Sequence, residues 1–282
     1  MRTVKIFAAV DQHRRNFGDN LMEPILQALF NMNARLVAPD QAELIGVGSI
    51  IDAVHRRKRR SLFSSKLQNF VDIARGKRPF LRTSKELHVW GSGFLDPDSS
   101  AVWPQKLIFH SVRGPLTRAR INQPLLPLGD PGLLLPLMWH KPATITAMVT
   151  IVPHYATHSA FLAKLRSSLP KHWRVVDVLG SPADIARAIA SSEFVISSSL
   201  HGIITADAYG VPSCSMAPDT QIRGGRFKFL DYAAFRGRGL YGPVKFETFL
   251  NEHNRIVVLD ECRPGRPDDK TLSAILAAFP FN

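Results

Sequence analysis

Cysteine is nearly absent from this sequence of 282 residues, and long hydrophobic runs are missing. The two cysteines, Cys214 and Cys262, are too few for a disulfide framework or a four-ligand zinc site, which is typical of a reducing compartment. No run approaches the ~20 apolar residues that span a bilayer, and the apolar start Val4–Val10 is too short for an export signal. We therefore expect a cytoplasmic protein.

Acidic residues are scarce relative to basic ones, and the net charge is +13. This excess indicates an anionic substrate, partner or surface, for which a nucleic acid, a phosphorylated metabolite and a membrane all qualify. Part of the excess lies in the basic cluster Arg56-Arg57-Lys58-Arg59-Arg60, close to Leu62 and Phe63. The cluster has two interpretations, contact with lipid head groups or a solvated loop, and charge runs are usually solvated.

Short apolar runs alternate with amphipathic stretches, a pattern typical of parallel sheets with crossover helices. The length and the 45% hydrophobic content favour two compact α/β domains. Leu133–Pro142 contains two prolines and no helix or strand period, so we place the boundary there, giving domains 1–140 and 141–282. The predicted strands are Val4–Val10, Leu44–Val47, Leu87–Trp90, Leu107–His110, Ala147–Val152, Trp173–Val178, Glu193–Ser197, Val211–Met216 and Arg255–Leu259. The predicted helices begin near Asp19 and lie at about Ser159–Ser168, Pro182–Ala190, Leu200–Tyr209 and Thr271–Phe279.

Two glycine-rich turns follow predicted strands, at Gly46-Val47-Gly48-Ser49 and Trp90-Gly91-Ser92-Gly93. Neither completes the G-x-G-x-x-G fingerprint, and the chain has no Walker lysine. The turns therefore do not favour NAD or ATP as a ligand. The turns either let backbone amides approach a ligand closely or serve only as tight turns. Ser49, Gly91 and Ser92 are the candidate ligand contacts.

Two further segments of the first half carry chemistry. Asn16-Phe17-Gly18-Asp19-Asn20 follows the first strand, where Asn16, Gly18 and Asp19 either hold a sugar or an acidic donor or cap a helix. Arg113 follows a strand and precedes a helix, so its guanidinium either clamps a phosphate or carboxylate or forms a salt bridge. Gly129-Asp130-Pro131-Gly132 is interpreted mainly as a turn.

The strongest signal is the segment Ser197-Ser198-Ser199-Leu200-His201-Gly202, where a strand is followed by a helix. Amides and hydroxyls at a helix amino terminus bind anions, and His201 adds a proton donor or a cation. The alternative is a plain serine cap. His154 ends another strand and is either structural or a titratable group of the site. Arg223, Arg226 and Lys228 surround a glycine pair, and this stretch is either a lid over a phosphate or solvated.

Taken in chain order, six motifs resemble those of one family: Asn16-Phe17-Gly18-Asp19, Gly46-Val47-Gly48-Ser49, Trp90-Gly91-Ser92-Gly93, Val112-Arg113-Gly114-Pro115, Leu128-Gly129-Asp130-Pro131 and Ser198-Ser199-Leu200-His201-Gly202. They look like the polysaccharide pyruvyl transferase family, in its exopolysaccharide ketal pyruvyltransferase branch. The resemblance implies two Rossmann-like domains with mainly parallel sheets, in a GT-B-like arrangement with a cleft between them. The first domain would hold the acceptor and the second the donor.

The resemblance also implies phosphoenolpyruvate as the donor substrate. Pyruvyl transfer from an enol phosphate requires no metal, and we expect no cofactor. The acceptor would be a sugar of a polysaccharide or lipid-linked oligosaccharide, on which a pyruvate ketal forms. A location at the inner face of the cytoplasmic membrane, contacted through residues 56–60, would fit this acceptor, and no nucleic acid partner is expected.

One position departs from the family pattern. Members often carry arginine two residues before the histidine, whereas this chain has Ser199 there. The donor phosphate then needs another cation, and the family's lysine ahead of an Asp-Tyr pair matches Lys228. The candidates are Arg113, Arg223, Arg226 and Lys228.

The resulting hypothesis assigns His201 as general acid or phosphate ligand, Arg113 and Lys228 as anion clamps, and His154 or Asp19 as the acceptor of a hydroxyl proton. Ser198 and Ser199 would contact the donor. Two other classes stay open, a nucleotide-sugar glycosyltransferase on the same scaffold and a non-catalytic module that binds anions or membrane surfaces, because fold alone does not separate them.

Overall fold

The structure, a computed structural model, describes residues 1–8, 16–52, 83–98, 103–165, 169–218, 224–237, 242–262 and 264–281. The predicted α/β class is confirmed, because the described strands form two parallel, Rossmann-like sheets of five and four strands. The GT-B-like arrangement of the two halves stays a prediction. The strands are β1 (Arg2–Ile6), β2 (Met32–Leu36), β3 (Leu44–Ile45), β4 (Glu86–Trp90), β5 (Lys106–Ser111), β6 (Ala147–Val152), β7 (Trp173–Val175), β8 (Ser192–Ser197) and β9 (Ser213–Ser215).

The helices lie between and after these strands. They are α1 (Met22–Phe30), α2 (Pro115–Arg120), α3 (Leu135–Met138), α4 (His158–Leu165), α5 (Pro182–Ala190), α6 (Leu200–Tyr209), α7 (Phe227–Phe235), α8 (Phe246–Leu250), α9 (Glu252–Glu261) and α10 (Asp269–Ala277). Single 3₁₀ turns are formed by Asp19–Leu21, Pro39–Gln41 and Pro131–Leu134.

The first sheet has the order β2-β1-β3-β4-β5, and every recorded pairing in it is parallel. Parallel strands have their carboxyl ends at one edge, so the turns after β1, β3, β4 and β5 gather there. Between Val89 and Trp90 the register with β5 shifts. This irregularity lies directly before the Gly91-Ser92-Gly93 turn.

The second sheet has the order β7-β6-β8-β9 and is also parallel. Strand β8 is followed by helix α6, which begins after Ser199 in an extended conformation. The helix ends at Gly210, whose φ of 64° is the left-handed conformation that glycine adopts at helix ends. All ten residues of α6 are buried, as expected for a helix that is largely apolar around its circumference.

One prediction of secondary structure was wrong, and one strand was not predicted. Arg255–Leu259 is predicted as a strand but lies inside helix α9. The apolar run Ile256-Val257-Val258 suggests a strand, yet Val258 is buried while Ile256 and Val257 are exposed, which is one-sided helical burial. The sequence analysis also missed β2, an edge strand whose residues are all at least partly exposed and which therefore lacks a clear apolar pattern.

The C-terminal part of the chain returns to the first sheet. The indole N–H of Trp90 donates a hydrogen bond to the Ile275 carbonyl in α10 over 2.8 Å. Helix α7 packs against α2, and the Tyr232 hydroxyl of α7 donates to Asp207 of α6 over 2.8 Å. Helix α7 therefore contacts elements of both halves, and the division at residue 140 stays a prediction.

In the part of the chain that the structure describes, no helix is long and apolar enough to cross a membrane. The basic cluster at 56–60 lies outside the described residues, so its predicted membrane contact stays a prediction.

Candidate functional site

The carboxyl edges of the two sheets meet at the loop that follows β1. The backbone N–H of Phe17 donates to the carbonyl of Val178 over 3.0 Å. Gly18 lies against the ring of His201, and a Cβ atom at position 18 would collide with that ring. The two segments that the sequence analysis assigned to opposite domains are therefore in direct contact.

The three serines before α6 have different roles. Ser197 Oγ accepts the backbone N–H of Ser199 (3.0 Å) and bonds to the Val152 carbonyl (2.9 Å), so it fixes the turn. Ser198 Oγ accepts the backbone N–H of His154 over 2.8 Å. Ser199 is half-buried and makes no side-chain cap. The first amides of α6 thus lack both intrahelical partners and a side-chain cap, which leaves a positive helix end.

His201 lies in the first turn of α6 and is buried, with 8% of its surface exposed. Burial lowers its pKa to about 3, and the charges of Arg113 and Lys228 act in the same direction. Its Nε2 atom lies 3.8 Å from Oδ2 of Asp130. Neither of these two buried atoms has a hydrogen-bond partner within the described ranges. In this state the imidazole is neutral at physiological pH.

Lys228, on α7, supplies a cation to the same place. It is 8% exposed, and no hydrogen bond or ion pair joins its ammonium to another described residue; the Phe229 ring lies 5.5 Å away. Burial, with the charge of Arg113, lowers its pKa to about 8, while Asp19 acts in the opposite direction. Its charge also shifts the pKa values of Asp19, His154 and His201, so all three lie within its electrostatic range.

Asp19 is half-buried beside this cation. Its carboxylate accepts the side-chain amide of Asn16, and its backbone N–H donates to Asn16 Oδ1 over 3.2 Å. Burial raises the pKa of Asp19 to about 6, against the lowering effects of Asn16 and Lys228. Gly48 has a φ of +112°, and a Cβ there would lie 3.0 Å from the Asp19 carboxylate, so only glycine fits beside it.

His154 is buried after β6, and burial together with the charge of Lys228 lowers its pKa to about 3. The backbone N–H of Ala156 donates to Nδ1 over 3.3 Å, so the neutral ring carries its proton on Nε2. A ring in this form donates from Nε2 rather than accepts. Asp19 is therefore the better candidate for the acceptor of a hydroxyl proton.

Arg113 is fully buried, and its guanidinium is held by protein groups. It pairs with Asp231 over 3.3 Å and donates to Ser49 Oγ over 2.5 Å and to the Phe94 carbonyl over 2.9 Å. Asp231 also accepts the backbone N–H of Thr117 over 2.9 Å and thereby caps α2 from helix α7. In this conformation Arg113 contributes its charge to the site rather than an open clamp.

The other predicted ligand contacts are less available. Ser92 is buried and donates to the Gly48 carbonyl over 2.9 Å. Gly91 has a φ of +77° and lies so close to Pro131 that a Cβ would collide with it. Arg226 is exposed and donates to the Gly242 carbonyl over 2.6 Å. Arg223 lies outside the described residues. Of the three candidate cations that the structure describes, Lys228 fits a buried anion site best.

The sequence analysis missed the two buried aspartates that organise the site. Asp130 was interpreted as a turn residue, but its Oδ2 approaches His201. Asp231 received no role, although it forms a buried ion pair with Arg113. The sequence feature that could have identified Asp130 was its position in Leu128-Gly129-Asp130-Pro131, one of the six motifs shared with the family. Asp231 lies 118 residues from Arg113, and nothing local indicates their pairing.

No group of three or more His, Cys, Asp or Glu residues in the described ranges is arranged to hold a metal ion.

The chain is similar to proteins of known sequence and of known structure. "Succinoglycan biosynthesis protein ExoV" of Rhizobium meliloti (strain 1021) is 32% identical over 155 residues, which cover 53% of this chain and 47% of that protein. The alignment thus spans about half of the curated relative. A crystal structure of the uncharacterized protein KP1_0663 from Klebsiella pneumoniae subsp. pneumoniae NTUH-K2044 covers 86% of this chain and 92% of its own at 10% identity. Its TM-score is 0.42, which is too low to indicate a function.

The model of one protein family, described as polysaccharide pyruvyl transferase, matches residues 16–220. The matched range begins at Asn16 and includes Gly18, Asp130 and His201, which the structure brings together. It covers well over half of the sequence. The chain therefore belongs to the polysaccharide pyruvyl transferase family.

Proposed function

We propose that this protein transfers a pyruvyl group from phosphoenolpyruvate to a sugar of an exopolysaccharide or its lipid-linked precursor, forming a pyruvate ketal. The observation that carries the proposal is the ammonium of Lys228, a residue only 8% exposed, which has no partner among the described residues and lies in electrostatic range of His201 at the amino end of α6. A buried cation beside an open helix end favours a compact anion as ligand. Family membership and the similarity to a succinoglycan biosynthesis protein support the reaction class.

The donor would lie with its phosphate at the first turn of α6, next to Ser199 and Lys228. Ser199 stands where family members often have an arginine, and a hydroxyl with free amides takes over the hydrogen bonds while Lys228 supplies the charge. Arg113 acts at longer range, because its guanidinium is already paired with Asp231.

The chemistry needs an acid at the methylene carbon of the donor and a base at the sugar hydroxyl. In our assignment His201 protonates the methylene carbon, and the first hydroxyl attacks the neighbouring carbon while its proton passes to Asp19. A second hydroxyl displaces the phosphate, which leaves with the second proton. The proton on Asp19 then returns to His201 through solvent, so that one donor and two hydroxyls give one ketal and one hydrogen phosphate.

The pKa values of the ligand-free site fit these roles once the donor is bound. Asp19, with a pKa of about 6, is mostly ionised at neutral pH and is a competent base. His201 is neutral when the site holds only the protein's cations. The negative charges of phosphoenolpyruvate beside it would raise its pKa and supply the acid form.

A thermal-shift assay with two donors tests the proposal against its alternatives. We expect phosphoenolpyruvate to raise the melting temperature and UDP-glucose to leave it unchanged. Protection by UDP-glucose alone would indicate a glycosyltransferase. Protection by phosphoenolpyruvate without phosphate release in the presence of a lipid-linked oligosaccharide acceptor would indicate a binding module.

Substitution of His201 tests the catalytic assignment. His201→Gln should lower the rate of acceptor-dependent phosphate release by about 100- to 10,000-fold, the usual contribution of a general acid. The variant should keep its protection by phosphoenolpyruvate, because the helix amides and Lys228 are unchanged. Turnover near that of the wild type would remove His201 from the mechanism.

A further inference from the structure

Two buried polar atoms face each other without a hydrogen bond at the centre of the site. Oδ2 of Asp130 and Nε2 of His201 are 3.8 Å apart, and the Asp130 side chain is fully buried. Neither atom has another hydrogen-bond partner among the described residues. An unsatisfied buried donor or acceptor costs about 1–3 kcal/mol, so such a pair calls for an explanation.

The carboxylate of Asp130 is held in place by its surroundings. Its Oδ1 accepts the backbone N–H of Gly132 over 2.9 Å at the start of the Pro131–Leu134 turn. The preceding Gly129 has a φ of +142° and donates its N–H to the Val112 carbonyl over 3.0 Å, and a Cβ at 129 would collide with Ile275. The second oxygen, Oδ2, is thereby left directed at the imidazole.

The ring of His201 is oriented with its two nitrogens in different surroundings. Nε2 lies on the Asp130 side, and Nδ1 is the ring atom nearest to Gly18. A proton on Nε2 would face the carboxylate, while Nδ1 would be the nitrogen that exchanges protons at the loop of residues 16–20. A movement of about 1 Å would bring Asp130 and His201 to hydrogen-bond distance.

We propose that Asp130 is a positioning residue for His201, whose free carboxylate oxygen accepts the Nε2–H of the imidazole and stabilises the imidazolium while the donor is bound. This inference rests on the proposed function, in which His201 is the acid. The carboxylate of Asp130 would fix the tautomer of His201 and balance the positive charge of its imidazolium. The role parallels that of the carboxylate in catalytic triads, which orients a histidine without taking its proton.

The charged groups around the pair agree with this role. Burial raises the pKa of Asp130 to about 6, with Asp231 of α7 acting in the same direction and Arg113 against it. Asp130 is therefore ionised at neutral pH. Facing His201 are the cations of Arg113 and Lys228, and Asp19 offsets Lys228 from the loop after β1. Among the described residues, Asp130 is the carboxylate recorded within 4 Å of the imidazole, at 3.8 Å.

Asp130→Asn is the informative variant. Its amide oxygen would keep the bond from Gly132, so that its NH₂ group would face Nε2 and favour a proton on Nδ1 instead. We expect turnover to fall by about 100-fold or more, with affinity for phosphoenolpyruvate changed less than about threefold. Loss of the negative charge should also lower the pKa of the bound imidazolium, moving the basic limb of the rate profile about one pH unit or more to lower pH.

Two further readouts separate this role from a structural one. The double variant Asp130→Asn/His201→Gln should be no slower than His201→Gln alone, whereas independent losses would multiply. Nitrogen-15 spectra of the ligand-free protein, assigned through His201→Gln, should show the proton on Nε2 in the wild type and on Nδ1 in Asp130→Asn. The spectra do not depend on turnover, so they test the pair even if the proposed reaction fails.

The proposal is overturned by a wild-type spectrum with the proton on Nδ1, by identical tautomers in wild type and Asp130→Asn, or by losses that multiply in the double variant. The wild-type spectrum alone suffices if Asp130→Asn does not fold.

Discussion

The two sheet edges that meet at the site differ in how their polar groups are satisfied. On the edge of the first sheet, Arg113 is paired with Asp231, and Ser92 is bonded to the Gly48 carbonyl. On the edge of the second sheet, His201 Nε2 lacks a partner among the described residues and Ser199 does not cap its helix. Lys228, from α7, also lacks a partner there. The polar groups of the first edge are mostly held within the protein, apart from the proposed base Asp19, whereas His201 and Lys228 each have a nitrogen without a hydrogen-bond partner among the described residues.

The comparison shows that position after a strand does not by itself identify a ligand contact. Arg113 and Lys228 are both buried cations near His201, and both lower its pKa. Arg113 has a carboxylate partner at 3.3 Å and two further acceptors, the Ser49 hydroxyl and the Phe94 carbonyl, whereas Lys228 has no acceptor in the described part of the chain. The presence of a partner, rather than the charge, distinguishes Arg113 from Lys228, the cation that we propose binds the donor.

Substitution of Arg113 is expected to reduce the stability of the protein more than any other change considered. Arg113→Met would leave the buried carboxylate of Asp231 without its cation, and we expect a loss of about 3–5 kcal/mol in the free energy of unfolding. Lys228→Met is the matched control, since removing an unpaired buried charge should cost little or stabilise the fold. Urea unfolding of both variants measures this, and equal losses would contradict the distinction between the two cations.

A smaller loss of stability is expected from a substitution at Gly18, where the carboxyl edges of the two sheets are in contact. Gly18 has helical backbone angles that alanine adopts freely, so Gly18→Ala acts only through the collision with His201. We expect it to cost about 1–3 kcal/mol of stability, as overpacking does. In a His201→Ala background the same change should cost almost nothing. A thermal-unfolding cycle over the four proteins measures this coupling, and equal costs in both backgrounds would show that the ring is not the obstacle.

The sequence predicted a large part of this arrangement. The strand that ends at Ser197 and the helix Leu200–Tyr209 follow from an apolar run, a serine cluster and Gly210, which are local signals. The same holds for the glycine turns after β3 and β4. The helix at Arg255–Leu259 was missed because three consecutive apolar residues resemble a strand, although Asn251 caps that helix by accepting the Asn254 N–H over 3.0 Å.

What the sequence did not predict depends on contacts between distant residues. Whether Arg113 is an open clamp depends on Asp231, and whether Asp130 is more than a turn residue depends on His201, 71 positions away. Burial sets the pKa values of Asp19, Lys228 and His201, and burial at these positions follows from the contact of two sheet edges. Sequence patterns identify the candidate site residues. Their hydrogen-bond partners in the folded chain show which of them are held by other protein groups.

If the charge of Lys228 binds the donor, the affinity for phosphoenolpyruvate must depend on pH. Calorimetric titration of the wild type should show affinity that weakens as pH rises through about 8, where Lys228 loses its proton. Lys228→Arg should abolish this dependence because arginine stays charged, and Lys228→Met should bind about 10- to 100-fold more weakly at pH 7. Arg226→Met, which removes an exposed cation, should bind like the wild type. If Lys228→Met and the wild type bind phosphoenolpyruvate with equal affinity from pH 7 to above pH 8, Lys228 does not bind the donor.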